Sequence, residues 1–236
     1  MDRGPAGSFF LKRLHSLTGV LPIGYYLIQH LALNFTSQLD HGNVWNRVVG
    51  GFEALPHWTL WTIEITVLAI PILYHAAFGI YMAVRGRPRW YPWAHNATFH
   101  WMRVSGVLIF LFLIFHVWQM TLNPRLSARE LNFQLVNTVL SNPFWLVAYV
   151  VGVVAAVSHL AIGLWSFCIT WGITVGDRSQ QVSAWVFAIV GVLLLVIGLS
   201  SLQGFLANAP YQLGAGASAG AAATLPGAGA APGLGR

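Results

Sequence analysis

Five apolar runs, near residues 13–34, 58–84, 103–122, 144–171 and 183–206, constrain this chain more than any other feature. Each is long enough to cross the roughly 30 Å hydrocarbon layer of a bilayer as a helix. In that layer each backbone N–H and C=O must find its partner within the protein, and a helix does so within a single run. The composition agrees: 56% of residues are hydrophobic and 8% are charged, the balance of an integral membrane protein rather than of a soluble domain. The expected fold is all-α, an integral membrane bundle of five transmembrane helices.

Basic residues punctuate these runs unevenly. Arg3, Lys12 and Arg13 precede the first run, Arg85, Arg87, Arg89 and Arg103 surround the connection between the second and third, and Arg178 lies between the fourth and fifth. The intervening connections carry Arg47, then Arg125 and Arg129. The positive-inside rule puts the N-terminus in the cytoplasm, and five spans leave the C-terminus outside. The formal charge of +6 therefore meets lipid headgroups, and its clustering at the ends of apolar runs speaks against nucleic acid as a partner. Cys168 is the only cysteine, which excludes an internal disulfide and a multi-cysteine iron–sulfur ligand set within this chain. Lys12 and Arg13 before an apolar run resemble the start of a signal peptide. The run is longer than such a segment and lacks a small-residue cleavage site, so it reads as a mature first helix.

Three regions follow: a surface segment at 1–12, the transmembrane domain at 13–206, and a Gly/Ala/Pro-rich tail at 207–236 that is expected to be disordered. Pro22 predicts a kink in the first span, because its ring crowds the carbonyl of Thr18. Residues 35–57, with Asp40, His41, Asn43, Asn46, Arg47 and Glu53, read as a loop; residues 123–143 read as a polar connection with room for a short surface helix. Trp90, Tyr91, Trp93 and Trp101, with His95 and His100, read as an aromatic interfacial segment. The fifth run has no ionisable residue and reads as a lipid-facing or packing helix.

Each of the first four runs carries a histidine within the membrane, at His30, His75, His116 and His159. Counted from the outer helix ends at about 1.5 Å per residue, His30 lies four residues from Asn34 and His116 seven from Asn123. His75 and His159 each lie seventeen residues in, from Trp58 and Asn142. The four therefore form an outer pair, His30 with His116, and an inner pair, His75 with His159, roughly 15–20 Å apart along the membrane normal. Two imidazoles at one depth on different helices can hold one haem iron from opposite faces, an arrangement suited to electron transfer. His75 and His159 are each followed four residues later by glycine, Gly79 and Gly163, where a flat macrocycle needs close approach. His41, His57, His95 and His100 fall in loops or interfaces and are left out of the ligand set.

The stretches Arg13-Leu14-His15-Ser16-Leu17-Thr18-Gly19-Val20, Gln29-His30, Pro71-Ile72-Leu73-Tyr74-His75-Ala76-Ala77-Phe78-Gly79, Phe115-His116 and Ser158-His159 resemble the cytochrome b558 subunits of succinate dehydrogenases and fumarate reductases, the single-chain, five-helix, two-haem type. The resemblance spans about residues 9–206 and does not extend to the tail. It implies two b haems, with His30, His75, His116 and His159 as axial ligands and His15 as a family histidine that is not a ligand. It also implies a membrane anchor for a flavoprotein and an iron–sulfur protein on the cytoplasmic side of a bacterial inner membrane, carrying electrons from succinate to a quinone, expected to be menaquinone.

For the quinone, Glu64 is an intramembrane carboxyl three turns before His75. A carboxyl that can change protonation state beside the outer haem suits the protons of quinone chemistry, although an interfacial carboxyl reaching to water is an equal reading. Arg13, His15 and Ser16, at the cytoplasmic entry of the first helix, could donate hydrogen bonds to a quinone carbonyl. Alternatively, Arg13 or Arg103 could bind haem propionates or lipid phosphate. Two other readings stay open: a cytochrome b subunit of another quinone-linked complex, and a haem-free transporter or structural membrane protein with histidines along a pathway.

Overall fold

A computed structural model describes residues 5–85 and 93–207. Among them the chain is helical, with no strand. The first helical stretch runs unbroken through α1 (Pro5–Thr18), a π-helical turn (Gly19–Gly24) and α2 (Tyr25–Phe35). A second comprises α4 (His57–Ile63), a π turn (Glu64–Ala69) and α5 (Ile70–Arg85), preceded by α3 (Asn43–Glu53). The third comprises α6 (Trp93–Val117), a π turn (Trp118–Leu122) and α7 (Asn123–Leu126). After α8 (Phe133–Leu140) come the two longest single helices, α9 (Pro143–Thr170) and α10 (Asp177–Ala207).

Among the described residues four stretches are long and apolar enough to cross a membrane: His57–Arg85, Ala97–Leu126, Pro143–Thr170 and Asp177–Ala207. The first stretch is as long but more polar, because Tyr25, Tyr26, Gln29, His30 and Asn34 crowd its second half. The outward surface is apolar, with Leu73 63% and Val192 60% exposed, the inverse of a soluble protein and the surface a hydrocarbon layer requires.

Each π turn accompanies a proline. Pro22 has no N–H for the carbonyl four residues back, and the ladder widens there, with Tyr25 N–H reaching the Val20 carbonyl. The same five-residue step joins Ile70 to Ile65 just before Pro71, and Asn123 to Trp118 just before Pro124. The kink expected at Pro22 is thus a widened helical turn, and two more like it occur.

Several sequence expectations change. Residues 35–57 are not an irregular loop: two short 3-10 turns lead into α3, whose Trp45 and Val49 are buried. Gly42, at φ +82°, supports that entry because a Cβ there would run into the Phe133 ring. Nor is α8 a surface helix, since Phe133, Val136 and Leu140 are buried. Together with Tyr149, Leu202 and Phe205 these residues make one core at the end of the bundle holding His30 and His116. The third span begins at least ten residues before Arg103, and helix α10 begins at Asp177. Residues 5–12, expected as a surface segment, are helical and continuous with the first span. Arg3, Arg87, Arg89, Trp90 and Tyr91, together with the tail from residue 208, lie outside the described residues.

Helix α10 is a packing helix, pressed against α9 and α2. Small residues make this possible: a Cβ on Gly191 would stand 3.0 Å from Ala161 Cβ, and one on Gly198 2.7 Å from Val153 Cγ1. The second stretch is the opposite case, with no buried residue along its length.

Candidate functional site

Four elements bring their histidines together two by two. His30 on α2 meets His116 on α6 with ring centroids 5.7 Å apart and planes at 86°. His75 on α5 meets His159 on α9 at 6.3 Å and 77°. Two imidazoles that each place a nitrogen about 2 Å from a shared metal have centroids about 6 Å apart. Both separations suit one iron held between each pair. Among the described residues no group of three or more His, Cys, Asp or Glu gathers. Each pair offers two imidazoles, one from each of two helices.

The two pairs are seated differently. His75 Nδ1 lies 3.0 Å from the His15 carbonyl, which also accepts from Thr18 Oγ1 at 3.0 Å. His15 itself stacks on His75 with centroids 3.9 Å apart and planes at 13°. A Cβ on Gly19 would stand 2.5 Å from His75 Cε1, so only glycine leaves that ring its place. His159 Nδ1 lies 3.0 Å from Oγ of Ser105, a side chain with no exposure to solvent. Beside it, a Cβ on Gly106 would meet His159 Cε1 at 3.4 Å.

The outer pair is held by rings instead. Phe112 stacks on His116 at 5.3 Å, Tyr149 meets it at 5.6 Å, and Tyr26 stacks on His30 at 5.4 Å. His116 Nδ1 is buried without a hydrogen-bond partner among the described residues. Tyr149 turns its hydroxyl to Gln119 Oε1, 3.2 Å away.

The chain is 37% identical to the succinate dehydrogenase cytochrome b558 subunit of Bacillus subtilis (strain 168) over 199 residues, covering 84% of this chain and 96% of that protein. Residues 86–200 match the family model described as succinate dehydrogenase/fumarate reductase transmembrane subunit. The chain belongs to this family. As a succinate dehydrogenase/fumarate reductase transmembrane subunit it is a multi-pass membrane protein and part of an enzyme complex, in keeping with its apolar helices.

Within this transmembrane subunit the remaining candidates have unequal surroundings. Glu64 receives both guanidinium nitrogens of Arg125, at 2.6 and 2.7 Å, with each side chain about a third exposed. Trp61 lies under the same guanidinium at 5.6 Å. The pair ties the second helical stretch to the end of the third, an ion pair the sequence reading did not contain. Arg13 lies over Phe9 and Trp171, 4.8 Å from each ring, and so joins the start of the first span to the end of α9. Arg103 lies 4.0 Å over Phe99. Ser16 is half-buried next to His15.

The glycines four residues after His75 and His159, expected where a flat macrocycle needs close approach, lie away from the two imidazoles themselves. Gly79 faces His15, whose Cε1 would be 3.3 Å from an added Cβ, and Gly163 faces open space. The glycines against the two imidazoles are Gly19 and Gly106, each on a neighbouring helix. Ser105 and Gly106 were equally absent from the sequence reading. Their signal is two small residues in succession within an apolar run, a weak one.

Proposed function

We propose that this chain is the membrane anchor through which succinate-derived electrons reach membrane quinone, holding one b haem between His30 and His116 and a second between His75 and His159. The observation that carries this reading is two imidazole pairs at one-iron spacing, each drawn from two different helices. A haem iron ligated on both faces has no open position and supplies one-electron transfer. Everything else falls to the chain's own groups. The His15 carbonyl and Ser105 Oγ orient the inner imidazoles, while Phe112, Tyr149 and Tyr26 wall the outer ones.

The topology in this proposal has five spans, with the first helical stretch crossing the membrane as well and the N-terminus in the cytoplasm. Its greater polarity is that of a helix carrying His15 and His30 into a bundle. Flavoprotein and iron–sulfur partners would dock on the cytoplasmic side, at the end carrying Arg13, His15 and Ser16, where quinone is reduced if these residues donate to its carbonyls. Glu64, held by Arg125 at the other end, is the candidate for proton exchange with quinone on the outer side. Menaquinone is the proposed quinone.

The test is a reduced-minus-oxidised visible spectrum of the purified protein with a haem-to-protein ratio, repeated for His→Ala variants. Two low-spin b haems per chain are expected, with the loss of one haem common to His30→Ala and His116→Ala and of the other common to His75→Ala and His159→Ala. Well-folded protein without haem would overturn the proposal.

A further inference from the structure

The inner imidazoles differ in what holds them: His75 meets a backbone carbonyl, and His159 meets a side-chain oxygen that a substitution can remove. Ser105 is buried at 0% exposure in α6, just before the unbroken large apolar run from Val107 to Phe115. Its Oγ lies 3.0 Å from His159 Nδ1 and 3.3 Å from the Met102 carbonyl. If His159 offers Nε2 to an iron, its proton sits on Nδ1 and is donated to Ser105 Oγ, whose own hydroxyl proton then goes to the Met102 carbonyl. The complementary tautomer of His159 carries its proton on Nδ1 and leaves Nε2 unprotonated. Gly106, the next residue, keeps the ring edge clear.

We infer that Ser105 is the positioning residue of His159: it accepts the Nδ1 proton, fixes the tautomer and ring orientation, and presents Nε2 as the donor atom of the inner site. This rests on the proposal that His159 is an axial haem ligand. A hydrogen bond from the distal nitrogen raises the electron-donating power of a ligating imidazole, and stronger donation favours the oxidised iron. Ser105 therefore holds the inner haem at a lower potential than an unsupported imidazole would. The outer His116, whose Nδ1 is buried without a partner, has no counterpart of this device. His75 has one, the His15 carbonyl, which no side-chain substitution deletes.

The experiment is Ser105→Ala in the complete membrane complex, with Ser105→Thr as the variant that keeps the hydroxyl. Each is followed by redox titration of the b-haem bands and by low-temperature EPR of the oxidised haems. In Ser105→Ala the inner haem is expected to shift to higher potential, with a moved low-spin EPR line. The outer haem stays unchanged and reports that the bundle has folded, and Ser105→Thr returns the inner values toward the parent's. Selective loss of the inner haem in Ser105→Ala with rescue by Ser105→Thr supports the same role. Unchanged potentials and EPR lines for both haems, loss of both haems together, or a Thr variant that behaves like Ala would overturn it. A parent protein that binds no haem would instead overturn the proposed function itself, so the two failures are distinguishable.

Discussion

Helix α10 and the stretch His57–Arg85 are similar in length and both apolar enough to cross a membrane, yet the structure treats them in opposite ways. Helix α10 buries Gly191, Leu194, Gly198, Ser201, Leu202, Gly204 and Phe205 against α9, α2 and the turn after α2. The second stretch buries nothing and carries both His75 and Glu64. In a bilayer, helices associate through close packing of small residues and interhelical hydrogen bonds, since lipid already satisfies apolar side chains. Helix α10 has both: Gly198 admits Val153 and Leu31, and Ser37 Oγ donates to the Ser201 carbonyl at 3.1 Å. The second stretch is joined to its neighbours at a few polar points: Tyr74 Oη to the Leu11 carbonyl at 2.9 Å, His75 to His15, and Glu64 to Arg125. One half of the molecule is held by protein against protein. The other is built around its histidines.

Three experiments would break or sharpen this contrast. The largest effect is expected from removing haem. Amide exchange measured by mass spectrometry should rise strongly over 57–85 in haem-depleted protein while 177–207 changes little; equal rises in both would erase the distinction.

A smaller and local effect separates two glycines. An added Cβ at Gly204 meets Ser37 Oγ and the Gln38 backbone nitrogen, so Gly204→Ala should destabilise by about 1–3 kcal/mol. At Gly163 nothing lies within 4 Å, and the same change should be neutral or stabilising by up to about 1 kcal/mol. Denaturation in detergent micelles would compare them, and similar losses at both sites would contradict the packing described.

The smallest effect on stability belongs to Glu64→Gln. Its ion pair is about a third exposed on both sides, so the change should lower stability by no more than about 1 kcal/mol. Both haems should remain bound while quinone turnover falls on the order of 100-fold, the scale of a lost acid–base group. Unimpaired turnover would make Glu64 a tether of the second stretch and nothing more.

Much of the site was legible because a membrane makes intramembrane histidines rare and gives depth a ruler in helical rise. Counting residues from helix ends was enough to pair His30 with His116 and His75 with His159, and the structure sets those rings 5.7 and 6.3 Å apart. Reading failed where contacts run between helices. Gly19 and Gly106 meet the rings of His75 and His159 from neighbouring helices, and no spacing along the histidines' own helices points to them. The α3 and α8 segments looked like loop and surface because their sequences are mixed; Trp45 and Phe133 are buried there only because α9 and α10 close over them.

The sequence by itself determined the all-helical membrane character, the clustering of basic residues at the ends of apolar runs and the position of each histidine along its helix, because hydrocarbon thickness and helical rise act on each run separately. The tertiary structure alone decided which helix supplies the acceptor for each imidazole, where the Glu64 carboxylate finds its guanidinium, and which spans pack tightly. Those depend on the rotation of each helix about its axis, which is set by the neighbours it meets.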